Sequence, residues 1–261
     1  MIASSVLIKE KFSKASESYD ELSVIQKEIA DELLLSIKIL NSTQRILDIG
    51  IGTGYLTKKI QSSNPNLQMY GLDLALGMLN KARQRIPNLS LIQADANYLP
   101  FEGPLFDLIV SNLTYQWVSN LEHAFKKVRG ILRKNGRCYF SIFTENTLKE
   151  LRQVISESRI PKSDPLAYLP DKFRVKDLFE KIGFKVTQIN FKIKKQYYSN
   201  LLELLNWLKL IGANRYWSDR FYQGLSARNF IESISQKYEE RFRYNDKIFA
   251  TFEVLFVELI K

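Results

Sequence analysis

The 261-residue chain contains one cysteine and one histidine. A lone Cys138 cannot close an internal disulfide, and its scarcity fits a reducing compartment. A lone His123, on a predicted helix after the fourth strand, leaves no Cys/His metal cluster and no Ser/His/Asp relay to assemble. It reads as a helix-surface residue rather than a base. No apolar run approaches the roughly 18 residues that would span a bilayer. The first residues, MIASSVLIKEKF, are charged too early for a signal peptide. Repeats and low-complexity tracts are also missing. These absences predict a cytoplasmic protein with no membrane segment, no metal and no internal covalent staple.

What is present suits one substantial core with a smaller appended subdomain: 45% of residues are hydrophobic and 25% charged. The formal net charge is +10. Residues 1–150 hold 18 Lys+Arg against 15 Asp+Glu, and residues 151–261 hold 20 against 13, so most of the excess lies late in the chain. An acidic partner, either protein or nucleic acid, would complement it, although lysine-rich codon usage gives the same count.

Residues 5–40 read as helix, with Ile25, Ile29, Leu33 and Ile37 at helical spacing. Strand and helix then alternate. Strands are predicted at 45–50, 67–74, 89–95, 106–112 and 137–143, with helices after the first, second and fourth. The helix over 121–133 is closed by Asn135-Gly136. Helices at 146–157 and 174–182 flank a loop with Pro161, Pro165 and Pro170. A strand at 184–193, helices at 199–212 and 226–242, and a strand at 249–260 complete the chain. The alternation predicts an α/β fold, a doubly wound, mostly parallel sheet of seven strands covered on both faces. We divide it into an N-terminal helical lid (1–40), a ligand-binding core (41–196), a helical insertion capping the sheet's ligand edge (197–245) and the last core strand (246–261).

The first predicted strand ends in Asp48-Ile49-Gly50-Ile51-Gly52-Thr53-Gly54. Glycines at this junction let the backbone turn tightly and approach a ligand closely. The spacing is Gly-x-Gly-x-Gly rather than the dinucleotide Gly-x-Gly-x-x-Gly. Three further features sit at successive strand ends. Asp73, followed by Leu74, ends the second strand, where a carboxylate can accept both hydroxyls of a ribose. Asp95-Ala96 ends the third, where a carboxylate and a backbone amide can read an adenine edge. Ser111-Asn112 ends the fourth. Each aspartate alone also fits a turn or cap; four features in register point to a nucleoside-cofactor site.

Together these residues resemble the class I methyltransferase signature over roughly residues 40–145, which implies a Rossmann-like sheet and S-adenosyl-L-methionine as cofactor. By that resemblance Asp48, Gly50, Gly52 and Gly54 lie against the methionine portion, Asp73 and Leu74 at the ribose, Asp95 and Ala96 at the adenine, and Asn112 in the same crevice. Ile51 departs from the cysteine often found in this turn. Because a sulfonium activates its own methyl group, the protein mainly supplies orientation. A carboxylate acceptor, ionised at neutral pH, would need no base, and no base is evident. Carbon and nitrogen acceptors stay open.

Three stretches narrow the resemblance: Phe12-Ser13-Lys14-Ala15 with Tyr19-Asp20 and Gln26; Leu99-Pro100-Phe101 leading to Phe106-Asp107 and Ser111-Asn112-Leu113-Thr114-Tyr115-Gln116-Trp117; and Phe140-Ser141 with Leu148-Lys149-Glu150-Leu151, then Leu208-Lys209 and Gly212-Ala213. They resemble the malonyl-[acyl-carrier protein] O-methyltransferase family of biotin synthesis. That resemblance implies esterification of a malonyl carboxylate on an acyl carrier protein, with Tyr19, Gln116 and Trp117 at the transfer site. The acidic carrier protein would dock on a basic face, either Lys126, Lys127, Arg129 and Arg133 or Lys192, Lys194 and Lys195. A cation is expected at the malonyl carboxylate. Two alternatives share the fold: a small-molecule methyltransferase of quinone or fatty-acid type, and an assembly factor acting on a partner protein. A nucleic-acid enzyme rests on charge alone, with no RNA-binding module in the sequence.

Overall fold

The computed structural model describes residues 5–158, 169–171, 174–213 and 225–261. Seven strands form one sheet: β1 (Arg45–Ile49), β2 (Gln68–Asp73), β3 (Ser90–Gln93), β4 (Phe106–Asn112), β5 (Leu132–Phe143), β6 (Lys185–Tyr198) and β8 (Lys247–Ile260), with a two-residue β7 (Arg243–Tyr244) hairpinned onto β8. Their order is β3-β2-β1-β4-β5-β8-β6. Neighbours from β3 to β5 pair in parallel, and β8 runs antiparallel to both β5 and β6. Asn245 and Asp246, with φ of 47° and 58°, supply the tight β7–β8 turn.

The central strands are buried on both sides because their side chains alternate between two cores. Ile46, Leu108 and Val110 pack with α3 (Val24–Ser36), α4 (Tyr55–Ser63) and α5 (Leu76–Arg85). Leu47, Ile49 and Ile109 pack with α6 (Leu121–Ile131) and α8 (Val175–Ile182). The first core also takes in residues of α7 (Lys149–Ser156), α9 (Leu201–Leu210) and α10 (Leu225–Arg241). Strand order reverses at β1, which lies between β2 and β4. The crevice beyond the carboxyl ends of β1 and β4 is therefore where a ligand is expected in such a sheet.

The helix expected over 5–40 is broken into α1 (Ser5–Ala15), α2 (Tyr19–Leu22) and α3. Serines mark the breaks. The Ser18 N–H donates to the Ala15 carbonyl at 3.2 Å, the Ser16 hydroxyl to the Ser13 carbonyl at 2.8 Å, and Ser23 separates α2 from α3. Serine side chains compete with the helix ladder in this way. The break lets α1 lie against α5 while α3 packs on the sheet, and it carries Tyr19 to the strand ends. β6 runs five residues past its expected end, held by pairing with β8 up to Tyr198–Ile248.

Candidate functional site

The glycine turn is fastened to β2: the Gly50 and Ile51 N–H groups donate to the Leu72 carbonyl at 2.7 and 3.0 Å. Gly50, Gly52 and Gly54 have φ of 73°, 56° and 82°, a region that favours glycine. Their roles differ. A Cβ on Gly50 would collide with the Thr114 side chain, whereas one on Gly52 would meet nothing within 4 Å and would project into open space. Gly54 precedes α4 and faces the Ala82 backbone and Cβ at 3.4 Å. It lines none of the three cavities described below, and its place beside Ala82 serves the packing of α4 on α5.

Three carboxylates gather at the strand ends. Asp73 accepts from the Gly52 N–H at 2.9 Å and the Ala75 N–H at 2.8 Å, which ties β2 to the glycine turn. Burial pushes its carboxyl up, opposed by the N–H donors of Ala75, Gly52 and Leu74. Asp95 accepts from the Asn97 N–H at 2.8 Å and, on its other oxygen, from the Ser5 hydroxyl of α1 at 2.6 Å. Asp48 is buried and accepts from the Thr57 hydroxyl at 2.6 Å. Burial pushes the Asp48 carboxyl up to about 7; Thr57 opposes the shift and the charge of Asp73 adds to it.

Two adjoining cavities meet at an aromatic wall. The first, about 700 Å³, is lined by Gly50, Gly52, Asp73, Leu74, Asp95, Ala96 and Asn112 among others. The second, about 630 Å³, is bounded by Gln26, Gln116, Leu148, Trp207, Leu208 and Phe252 among others. Phe12, Tyr19, Leu113 and Trp117 line both. Phe12 stands edge-on to Trp117 at 5.3 Å and to Tyr19 at 6.5 Å between ring centres. A third space of about 440 Å³ extends along Asp48, Gly50, Thr53 and Lys27, and Tyr19 reaches it too. Burial, with Asp73 and Asp20 nearby, raises the Tyr19 phenol far above its usual range, so it stays protonated at neutral pH.

The structure thus places Asp48, Gly50, Gly52, Asp73, Leu74, Asp95, Ala96, Asn112, Tyr19, Gln116 and Trp117 on these three connected spaces. Asn112 also has a framework role: it accepts from the Ser141 hydroxyl at 2.7 Å and donates to the Gln26 carbonyl at 3.0 Å. The residues that line the second cavity from α9 and β8, Trp207 and Phe252, carried no local signal. They lie far along the chain and only tertiary packing brings them to Trp117. His123 lines none of these three cavities; its ring lies 6.0 Å from that of Tyr98.

No lysine or arginine lines the second cavity among the described residues. The basic faces are also largely engaged. Lys126 pairs with Glu122 at 2.7 Å, Arg129 donates to the Gly183 carbonyl at 3.1 Å, and Lys192 and Lys194 pair with Glu32 at 3.2 and 2.8 Å. Lys195 lies over the Phe249 ring at 4.2 Å. Arg133 pairs with Asp107 at 2.9 Å, at the start of β4. That position lies at the other end of β4 from Asn112, which lines the first cavity.

The methyltransferase-domain family model matches residues 47–140. The whole chain is similar to malonyl-[acyl-carrier protein] O-methyltransferases. It is 30% identical to that of Geobacter sulfurreducens, covering 95% of this chain and 96% of the relative. It is 31% identical to that of a Paenibacillus species, covering 96% of each. The chain belongs to this family. Among solved structures, the fold is shared with the YcgJ protein of Bacillus subtilis (TM-score 0.62, 18% identity, 90% of this chain and 98% of that one). It is shared as well with Haemonchus contortus phosphoethanolamine N-methyltransferase 2 (TM-score 0.54, 18% identity, 89% and 52%). Family membership agrees with the resemblance carried by Phe12–Gln26 and by the Ser111–Trp117 segment. The described residues contain no helix long and apolar enough to cross a membrane and no cluster of metal-ligating side chains.

Proposed function

We propose that this family member methyl-esterifies the free carboxylate of a malonyl group carried by acyl carrier protein, with S-adenosyl-L-methionine as cofactor. One observation carries the reading: an acid-lined cavity at the strand ends shares the Phe12–Tyr19–Trp117 wall with a second cavity that no ionisable side chain but Tyr19 lines among the described residues. The cofactor fits the first cavity by its donor set. Open space beside Gly52 admits close backbone approach, and Asp73 and Asp95 offer acceptors for a ribose and an adenine. When bound, it supplies a methyl group activated by its own sulfonium charge.

The chain's residues then bind, orient and exclude water. Tyr19, Phe12 and Trp117 present aromatic faces to a cation. The apolar walls of the second cavity strip water from the acceptor carboxylate, whose charge is lost on esterification, and this favours the neutral product. An acceptor already ionised requires no base, in keeping with a protonated Tyr19 and a remote His123. Residues 5–36 act as the lid. Ser5 on Asp95, Arg85 on Asp20 at 2.5 Å and Lys81 on Glu17 at 2.5 Å hold it down.

The deciding assay combines labelled cofactor with malonyl-loaded carrier protein. Label in a base-labile ester is expected; its absence from protein that binds the cofactor would refute the substrate. For docking, we retain Lys126, Lys127 and Arg129. Lys126 and its partner Glu122 are 60% and 32% exposed, so that pair is readily exchanged. Charge reversal of Lys126 and Lys127 should raise KM for carrier protein several-fold and leave a small malonyl thioester unaffected. Equal KM values for carrier protein would remove α6 from the interface.

Asp48 gives a pH signature. Its carboxyl is held near 7, so the free protein is about half ionised at neutral pH, and a cationic ligand favours the ionised form. Cofactor affinity should rise about tenfold from pH 6 to pH 8 and flatten above, since the ionised fraction rises by that factor. Asp48→Asn should abolish the slope. Because this pKa is raised on folding, the group's contribution to stability falls as pH climbs from the ordinary carboxylate range through 7, so Asp48→Asn should melt higher at pH 8. Calorimetric affinities independent of pH in the parent protein would contradict this.

A further inference from the structure

The second cavity contains two glutamines whose side-chain oxygens are buried and have no hydrogen-bond partner, Gln26 and Gln116. Gln116 is only 5% exposed. Two other polar residues of that cavity are already engaged: the Thr147 hydroxyl donates to the Glu253 carbonyl at 3.1 Å, and the Trp207 indole N–H to the Leu22 carbonyl at 2.9 Å. Buried polar atoms are ordinarily paired, so two idle amides in one apolar chamber point to a polar ligand group. Their mounts are rigid. Asn112 holds the Gln26 carbonyl at 3.0 Å and is itself held by Ser141 at 2.7 Å. Gln116 lies in a 3-10 turn whose lead-in, the Leu113 N–H, donates to the same Ser141 hydroxyl at 3.1 Å.

We propose that Gln26 and Gln116 hold the acceptor carboxylate between them as a pair of neutral donors. This rests on the malonyl-ester reading and names the groups that would bind its substrate. Rotation about the last side-chain bond lets each amide present its NH₂ to a carboxylate oxygen. Neutral amides act on an ionised acceptor differently from a cation. A lysine or arginine would stabilise the ionised acceptor most strongly before transfer, when its charge is full, and so would deepen the ground state. Amides fix orientation at a smaller ground-state cost. Both glutamines belong to elements that Ser141 and Asn112 tie to the ends of β4 and β5, which fixes their mounts.

The test compares Gln26→Glu, Gln116→Glu, Gln116→Met and Gln116→Lys with the parent. Carrier-protein methylation is followed from pH 5.5 to 8, and binding of a malonyl pantetheine thioester is measured with S-adenosylhomocysteine present. At pH 7.5 each glutamate variant should lose at least ~30-fold in kcat/KM and in thioester affinity, through repulsion between like charges. Activity should recover as pH falls and the new carboxyl protonates to become a donor. Gln116→Lys should bind the thioester more tightly but turn over more slowly, and Gln116→Met should lower affinity at every pH. S-adenosylhomocysteine affinity should not change in any of them. The lysine and glutamate variants should melt lower because they bury a charge. Uncharged Gln116→Met should fold as the parent does and so separates lost affinity from lost stability. Glutamate variants within threefold of the parent, with the parent's pH profile, would overturn the role of the amides while leaving the substrate assignment standing. A parent protein that binds cofactor but leaves malonyl carrier protein unlabelled would overturn both.

Discussion

Replacing Asp73 with alanine is expected to weaken S-adenosyl-L-methionine binding about 10- to 100-fold, the worth of losing charge-assisted hydrogen bonds of roughly 1.5–3 kcal/mol. Its carboxylate has two tasks. One oxygen accepts from the Gly52 N–H at 2.9 Å and the other from the Ala75 N–H at 2.8 Å, and the carboxylate lines the first cavity with acceptor capacity to spare for the proposed ribose. Alanine removes the ribose acceptor and also releases the glycine turn from β2. Asp73→Asn separates these tasks, because an amide keeps one acceptor while bringing donors toward two N–H groups; it should bind between the parent and Asp73→Ala. Calorimetry on folded variants measures this. Cofactor affinity of Asp73→Ala within threefold of the parent would remove Asp73 from the ribose site.

Gly50→Ala should be the most damaging single-methyl addition in the site, costing roughly 2–5 kcal/mol of stability. About 1–2 of this comes from placing an L side chain in the left-handed region and the rest from overpacking. Gly50 has φ of 73°, and its Cβ would be driven into Thr114, which the end of β4 holds in place. For a chain of this size the melting temperature should fall by about 4–20 °C. Gly52→Ala is the control. Its φ of 56° carries the same backbone cost, but nothing lies within 4 Å of the added carbon. It should melt closer to the parent and still lose cofactor affinity, because the methyl enters the cavity. Equal melting temperatures for Gly50→Ala and the parent would show that Thr114 yields and that the turn is not tightly packed.

The parallel core was legible because its signals are local. The run Arg45–Ile49 is apolar enough to be buried on both faces, and the aspartates at 48, 73 and 95 each lie within two residues of a strand's carboxyl end. Position along a strand is sufficient to bring such residues to one edge of a parallel sheet. Tyr19 and Gln116 were legible through family resemblance, not through spacing. The docking faces were less so, since a lysine or arginine in sequence does not reveal its partner. Arg133 proved to be bound to Asp107 at the opposite end of β4, and Lys194 to Glu28 and Glu32 of α3. The breaks at Ser16–Ser18 and Ser23 also escaped the apolar periodicity, because competition between a serine hydroxyl and the helix ladder leaves that periodicity intact.

Sequence alone determined the sheet, its glycine turn and the acidic edge, because each depends on residues near one another in the chain and on the two-residue alternation of strands. Only the tertiary structure decided which groups form the acceptor chamber. Gln26, Gln116, Trp207 and Phe252 come from α3, the turn after β4, α9 and β8, and no periodicity links them. Burial of apolar faces from these separate elements brings them together, and that same burial leaves the two amides without protein partners.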